Sequence, residues 1–178
     1  VMEASLKLLQ DGKPVRSLLA TLDPEDLKIL KALNLLTSKP VLYVCNVAEG
    51  DAANGNEHTK AVAEMAAGQA AETVIISAAI EAEVAQLEAE EAEMFLSEMG
   101  LEEPGLDRLI RAGYKLLDLI TYFTVGPKET RAWTIRRGTK APAAAGVIHT
   151  DFERGFIRAH TIAYDDYIAF NGETGAKE

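Results

Sequence analysis

Two short β-rich apolar runs, separated by a polar loop and an alanine-rich segment, constrain the fold of this chain most strongly. The runs are residues 41–45 (VLYVC) and 73–76 (TVII). Uninterrupted runs of this kind are typical of strands buried on both faces of a parallel sheet. The segment between them, from Lys60 to Gln69, has a helical composition. The order strand, loop, helix, strand predicts a βαβ unit, and therefore an α/β domain with a parallel sheet.

Helix signals surround this unit. Asp23 is predicted to cap a helix whose first residue is Pro24, with acids in its first turn. Gly and Pro near residue 12 end an earlier helix, and Gly100 ends a later one. Helices are predicted over residues 1–10, 24–36, 80–99 and 106–120.

The pattern changes near Leu119. Residues 122–125 and 132–135 are strand-like, and Gly126-Pro127-Lys128-Glu129 between them is a hairpin turn. A helix with a turn is predicted over residues 141–156, and another strand over 157–164. The order ββαβ in about 50 residues suits an α+β module of the ubiquitin-like β-grasp type.

Charge and cysteine usage narrow the classes of function. The net charge of −10 does not favour nucleic acid or anionic membranes as partners of the whole chain. Residues 81–103 hold nine acids and no base, and we interpret this segment as a solvated helix face or a linker. Residues 128–158, in contrast, hold seven bases and three acids. The lone Cys45 excludes an intrachain disulfide and favours a cytoplasmic location. No apolar run approaches the ~20 residues of a membrane span, so we expect no membrane partner.

The first candidate site is the tetrad Asn46-Val47-Ala48-Glu49, directly after the first strand. Parallel sheets place their ligands at the carboxyl ends of strands. P-loop GTPases have Asn-Lys-x-Asp in this loop, and Glu49 is one methylene longer than the Asp that contacts guanine. The amide of Asn46 suits an adenine edge. The alternative is an Asx turn that leads into a helix.

The second candidate is Ser77-Ala78, at the end of the next strand. In the same GTPase fold, a Ser-Ala here lends backbone groups to the base. The alternative is that Ser77 caps the helix that follows.

A third candidate surface combines aromatic and basic residues in the C-terminal third of the chain. Arg side chains interleaved with aromatic residues can bind RNA through phosphate contacts and stacking. The alternative is that Trp133, Phe152, Phe156 and Tyr164 are core residues and the bases a solvated face. The candidate RNA-binding residues are Arg131, Arg136, Arg137, Lys140, Arg154 and Arg158.

Other chemistry finds little support in the sequence. The phosphate-loop pattern Gly-x-x-x-x-Gly-Lys-Ser/Thr does not occur, so we expect no nucleotide hydrolysis by this chain alone. His58, His149 and His160 lack the spacing of metal ligands, and no catalytic residue or metal site is assigned.

Four stretches resemble one family. They are NLLTSKPVLYVCNVAE (34–49), LIRAGYKLL (109–117), TYFTVGPKETRAWTI (121–135) and GVIHTDFERGFIRA (146–159). Together they are similar to the YchF-type Obg-like P-loop ATPases. In that family a nucleotide-binding domain carries a helical coiled-coil insertion and is followed by a TGS domain, a β-grasp module.

The resemblance implies three parts and a function. Residues 1–12 would be the end of the insertion, 13–119 the C-terminal part of the nucleotide-binding domain, and 120–178 an incomplete TGS domain. Asn46 and Glu49 match the altered base-specificity motif, and Val47 the position whose backbone meets adenine. The implied protein is a cytoplasmic, monomeric, ribosome-associated ATPase that binds ATP with Mg²⁺ and GTP more weakly, with the phosphate and metal ligands upstream of residue 1.

Two rival functions remain open at this point. One is a non-catalytic adaptor that binds RNA or the ribosome through the basic residues of the TGS domain. The other is a structural scaffold without a ligand.

Overall fold

The computed structural model describes residues 1–177 and shows a mixed α/β protein. The chain forms two compact units, Val1–Leu119 and Ile120–Glu178. The elements of the first unit are α1 (Met2–Gln10), α2 (Pro24–Ala32), β1 (Leu42–Asn46), α3 (Glu57–Ala67), β2 (Glu72–Ile76), α4 (Ala78–Val84), α5 (Ala89–Glu98) and α6 (Gly105–Leu116), with short 3₁₀ turns at Val15–Thr21, Leu36–Ser38 and Glu49–Asp51.

The predicted βαβ unit is confirmed. Strands β1 and β2 are parallel neighbours, with Leu42 opposite Glu72 and Asn46 opposite Ile76. Helix α3 connects them and, with α6, packs against both strands. A capping box starts α3, in which the Asn56 side chain accepts from the Thr59 amide at 3.1 Å and the Asn56 amide donates to Thr59 Oγ1 at 2.9 Å.

The expectation that both strands are buried on both faces is wrong. Val44 in β1 is 44% exposed, and every residue of β2 is only half-buried. Among the described residues the sheet has two strands, so each strand has one unpaired edge and limited cover.

Three helix predictions are corrected. The helix predicted over residues 106–120 is α6, which ends at Leu116, and Ile120 lies in the strand Leu119–Val125. The helix predicted over residues 80–99 is the pair α4 and α5, because Ile80 and Leu96 pack in one cluster with Ala52 and Leu101. In a straight helix those two side chains would lie roughly 24 Å apart, so a break is needed to bring them together. Helix α2 begins at Pro24 with Asp23 accepting from two backbone amides, as predicted, but ends at Ala32. Asn34, with φ +50°, cannot continue it.

The second unit contains the hairpin β3 (Leu119–Val125) and β4 (Thr130–Arg136), followed by α7 (Ala141–Ile148), α8 (Thr150–Arg154), α9 (Tyr164–Ala169) and a 3₁₀ turn at Gly175–Lys177. The amide of Gly126 closes the predicted turn by donating to Glu129 O at 3.0 Å. Tyr122 OH donates to Ala144 O at 2.8 Å and so ties the hairpin to α7. The predicted helix with a turn is confirmed as α7 and α8.

The strand predicted over residues 157–164 is wrong. Residues 156–163 are irregular, and Tyr164 begins α9. Ile157 is 90% exposed. A strand needs a neighbouring strand to satisfy its backbone groups, and this segment lies in neither sheet of the described chain. The assignment of this unit to a TGS domain stays a prediction, as does that of α1 to a coiled-coil insertion.

Across residues 1–177, no helix has the length and apolar character that crossing a bilayer requires.

Candidate functional site

The side chain of Asn46 joins two loops at one edge of the parallel sheet. Asn46 ends β1 and is exposed. Its Oδ1 accepts a hydrogen bond from the backbone N–H of Ala78, 32 residues further along the chain, at 3.0 Å. Because β1 and β2 are parallel neighbours, their carboxyl ends lie side by side, and the 46–49 and 77–78 loops therefore meet.

The structure contradicts both alternative interpretations of the loops, the Asx turn at Asn46 and the cap at Ser77. An Asx turn would have Asn46 Oδ1 accept from a nearby amide, but its partner is Ala78. Ser77 precedes α4 without making a side-chain cap; it is 2% exposed, and its Oγ has no hydrogen-bond partner among residues 1–177. Asn46 thus satisfies the first amide of α4, whereas a Ser77 cap would have accepted from the second or third amide.

Val47 fixes the loop by its backbone and its side chain. Its amide donates to Ile76 O at 2.9 Å. Its side chain packs against the buried cluster that includes Ala52 and Ile80. With the N–H occupied, the backbone group that Val47 can offer a ligand is its carbonyl oxygen, an acceptor.

Glu49 is exposed and begins the 3₁₀ turn Glu49–Asp51. The turn is braced at its other end, where Asp51 Oδ2 accepts from Asn56 Nδ2 at 2.8 Å. Asn46, Glu49 and Ala78 are exposed to solvent, whereas the Ser77 side chain is buried. The prediction for Ser77 concerns its backbone groups, and it stays a prediction.

Glu81 was missed by the sequence analysis, which placed it on a solvated face or linker. Its Oε1 accepts from the Gly105 amide at 2.7 Å and its Oε2 from the Leu106 amide at 3.1 Å. Pro104 at the start of α6 offers no side-chain cap, so the carboxylate satisfies these amides and favours the positive end of the helix. Pro104 and Gly105 begin α6 without a residue that can cap it, and this sequence feature could have indicated that a distant side chain supplies the cap. Glu81 links α4, and so the Ala78 loop, to α6.

The basic candidates of the second unit are all exposed but do not form one face of the hairpin. Side chains alternate along a strand, so Arg131 shares a face of β4 with Trp133, whereas Arg136 lies on the other. The Arg131 guanidinium lies over the Trp133 ring, 4.4 Å from its centroid. Arg137, Lys140, Arg154 and Arg158 lie outside the two strands.

The interpretation of the aromatic residues as a core holds only in part. Trp133 and Phe156 are half-buried, with Trp133 Nε1 donating to Thr124 Oγ1 at 3.0 Å. Phe152 and Tyr164 are 54% and 65% exposed.

In the described part of the chain, no three His, Cys, Asp or Glu side chains converge where a metal ion could sit. Mg²⁺ at a nucleotide site is held chiefly by substrate phosphates, water and one or two carboxylates, so this observation assigns no residue to it. Cys45 is a free, half-buried thiol.

Comparisons with known proteins agree with one another. The family model described as "YchF-GTPase_C: Protein of unknown function (DUF933)" matches residues 119–178. A "Ribosome-binding ATPase YchF" of Bacillus subtilis is 55% identical over 171 residues, which cover 95% of this chain and 46% of the relative. The Haemophilus influenzae protein of that name is 54% identical over all 178 residues and 48% of its own length.

The chain belongs to the YchF family. Similarity extends to eukaryotes, since "Obg-like ATPase 1" of Rattus norvegicus is 40% identical over 96% of this chain. The solved "Structure of the Schizosaccharomyces pombe YchF GTPase" matches 99% of the chain with a TM-score of 0.86 and 32% identity. The chain spans about half the length of the relatives it matches.

Proposed function

We propose that this chain supplies the purine-binding part of a cytoplasmic, monomeric, ribosome-associated protein that hydrolyses ATP and binds GTP more weakly. The carrying observation is the Asn46 Oδ1 to Ala78 N hydrogen bond, which joins the two candidate base loops at the carboxyl edge of a parallel sheet. Ligands of open α/β sheets bind at that edge. The names of the relatives, ATPase and GTPase, support a nucleotide hydrolase.

The geometry supports adenine over guanine. Asn46 Nδ2 has no partner among residues 1–177, and Oδ1 keeps a second lone pair beside Ala78 N. The amide can therefore donate to N7 and accept from the N6 amino group of adenine. The Val47 carbonyl, its N–H being engaged, is a second acceptor for N6. Guanine presents the acceptor O6 at that position, and two facing oxygens repel.

Under this proposal, residues 13–119 are the C-terminal part of the nucleotide-binding domain and 120–178 a TGS domain. The chain contains no glycine-rich phosphate loop. It therefore contributes base recognition, whereas phosphate and Mg²⁺ binding require residues outside it. We expect the 178-residue chain to bind ATP weakly and not to hydrolyse it.

The proposal is tested by the substitution Asn46→Asp in the 178-residue chain. The carboxylate still accepts from Ala78 N, so the fold is retained, but it cannot donate to N7. Titration with ATP and with GTP, followed by amide NMR shifts of the 46–49 and 78–80 segments, should show tighter ATP binding by the unsubstituted chain. In the variant, ATP affinity should fall about tenfold, as for loss of a 1–3 kcal/mol base contact.

The matched control is Asn54→Asp, an exposed amide nearby that makes the same change of charge. Equal losses in the two variants would show a general charge effect and contradict the Asn46 assignment. GTP binding as tight as ATP binding would overturn the adenine preference.

The Glu49→Asp substitution, together with Val47→Lys, tests discrimination directly and should move the preference toward GTP. Because the Val47 side chain packs on the buried cluster, Val47→Lys also lowers stability, so Glu49→Asp alone is measured first. An unchanged ATP-to-GTP ratio in both variants would show that this loop does not discriminate.

The adaptor function is favoured by one specific observation, the exposed Arg131 guanidinium stacked on Trp133. Such a pair offers a charge for phosphate and a platform for a base. Binding of a single-stranded RNA that weakens steeply with salt, and that is lost in Arg131→Gln, would support it. Adenine recognition at Asn46 should be nearly independent of salt, which separates the two functions.

A further inference from the structure

The Glu49–Asp51 turn, which follows the candidate base residues Asn46 and Val47, is held by a side-chain hydrogen bond from the start of α3. Asn56 Nδ2 donates to Asp51 Oδ2 at 2.8 Å. Both side chains are half-buried, so water competes less for this bond than it would at a fully exposed site. The acceptor is a carboxylate, and hydrogen bonds to ionised groups are stronger than those between neutral groups.

Asn56 makes this bond with the half of its amide that the cap of α3 does not use. Its Oδ1 accepts from the amides of His58 and Thr59 at 3.0 and 3.1 Å, and its Nδ2 is left to donate to Asp51. Aspartate caps helices as well as asparagine does, and its charge favours the positive end of a helix. The cap alone therefore does not require asparagine at position 56, whereas a donor to Asp51 does.

The backbone around Asp51 passes this restraint on to Val47. The Asp51 amide donates to Ala48 O at 3.0 Å, and the Gly55 amide donates to Asp51 O at 2.7 Å. The Val47 carbonyl and the Ala48 amide belong to one planar peptide unit, so holding Ala48 limits the direction of that carbonyl. Ala52, next to Asp51, is 1% exposed and lies in the cluster on which the Val47 side chain packs. Asp51 is thus connected to Val47 both by hydrogen bonds and by packing.

We propose that Asp51 and Asn56 are positioning residues for purine selection. Their hydrogen bond fixes the turn, so that the Val47 carbonyl and the Glu49 carboxylate stay where they discriminate between adenine and guanine. A loop that is ordered before the ligand arrives spends less binding free energy on ordering. In a loosened loop the Val47 carbonyl could turn away from O6 of guanine, and the preference for adenine would fall. This inference rests on the purine site proposed above.

The test is the substitution Asn56→Asp in the 178-residue chain. Aspartate still caps α3, but its second oxygen faces the Asp51 carboxylate, so repulsion replaces the hydrogen bond. Without nucleotide, the amides of Asp51 and Gly55 should exchange with solvent about fivefold faster, measured by NMR. In titrations, ATP affinity should fall about fivefold and GTP affinity by less than about twofold, because only adenine gains from the fixed carbonyl.

Rescue comes from exchanging the two side chains. In the double variant Asp51→Asn with Asn56→Asp, the amide at position 51 donates to the carboxylate at position 56, and the net charge is unchanged. Slow exchange in the turn and the ATP-to-GTP affinity ratio should both return to within about twofold of the unsubstituted values. A general loss of stability would lower the affinities for ATP and GTP alike, so the ratio separates positioning from stability.

The control is Asn54→Asp, an exposed position in the same loop that adds the same charge outside the pair. Equal loss of ATP affinity in Asn54→Asp and Asn56→Asp would show a general charge effect and overturn the inference. So would slow exchange in the turn of Asn56→Asp, an unchanged ATP-to-GTP ratio in that variant, or no recovery in the double variant. If Asn56→Asp fails to fold, Asp51→Ala removes the acceptor, and an unchanged ratio there refutes the inference by itself.

Failure of the purine site gives a different pattern. In that case the unsubstituted chain itself prefers neither nucleotide, and the role in selection falls together with the site. If the unsubstituted chain prefers ATP and Asn56→Asp keeps that preference although its turn exchanges faster, the purine site stands and only the inference about Asp51 and Asn56 is refuted.

Discussion

The two units of the chain differ in how far they bury their side chains. Every residue that the structure describes as buried lies in the first unit, among them Val15, Leu30 and Ile80, whereas residues 120–176 are half-buried or exposed throughout. In the first unit, helices pack on a parallel strand pair and on one another. The second unit has a hairpin, short helices and an irregular segment. Apolar residues form a core only where several elements converge, and small units bury less of their surface.

The contrast is tested most strongly by one substitution made in both units. Ile80 is 1% exposed and Ile157 is 90% exposed. Ile80→Ala should lower the free energy of unfolding of the first unit by about 2–5 kcal/mol through lost burial and a cavity. Ile157→Ala should change stability by less than about 0.5 kcal/mol. Urea denaturation measures both, and similar losses at the two positions would break the contrast.

Amide hydrogen exchange should show the same difference along the backbone. Opening free energies follow buried contacts, so β1 and β2 amides should exchange on the order of 100-fold more slowly than those of β3 and β4. Exchange followed by mass spectrometry or NMR gives both sets in one sample. Equal protection of the two strand pairs would mean that the β3–β4 hairpin is more stable than its solvent-exposed side chains indicate.

Gly105 tests how tightly the first unit packs around α6. A Cβ there would lie 2.8 Å from Glu81 Oε1 and 3.1 Å from Ile76 Cγ2, so Gly105→Ala should cost about 1–3 kcal/mol by displacing the Glu81 carboxylate. Gly113 is the control in the same helix, because nothing lies within 4 Å of its Cβ position. Gly113→Ala should stabilise by about 0.5–1 kcal/mol. Thermal unfolding measures the stability of both variants. If Gly105→Ala leaves the stability unchanged, the contact with Glu81 is dispensable.

Tyr122 gives the smallest effect and reports on the second unit. Burial raises the pKa of its hydroxyl above the ordinary value of 10.0. The neutral form is therefore favoured by folding, so its contribution is fully present below pH 10 and is lost as pH rises through the higher folded-state pKa. Tyr122→Phe also loses the bond to Ala144 O, worth about 1 kcal/mol. The variant should lose part of the alkaline decline in stability, measured between pH 9 and 11; an unchanged decline would contradict this role.

Sequence reasoning succeeded where a signal was local. The run VLYVC, the Pro24 helix start and the Gly126–Glu129 turn each specify their structure through neighbouring residues. It failed where a distant partner decides. The 157–164 run has strand propensity but no strand beside it, and the acidic 80–99 run breaks because Ile80 and Leu96 meet in one cluster.

For the candidate base site, the sequence indicated the residues but not their contacts. The position of Asn46 after a strand could be predicted, whereas its bond to Ala78 and the burial of Ser77 Oγ could not. Glu81 was hidden in a run of acids that all look alike in sequence. Only the hydrogen bonds that its carboxylate accepts from the start of α6 distinguish it from its neighbours.

The sequence by itself determined the βαβ order, the hairpin and the family, because periodicity, turn chemistry and long identical stretches are properties of adjacent residues. The tertiary structure alone decided which polar groups find partners. Asn46 gained Ala78 and Glu81 gained the amides of α6, whereas Arg16 Nε and Thr37 Oγ1 are buried without a hydrogen-bond partner among residues 1–177. The contacts of Asn46 and Glu81 join residues 24 to 32 positions apart at 2.7–3.1 Å, which the order of residues along the chain does not specify.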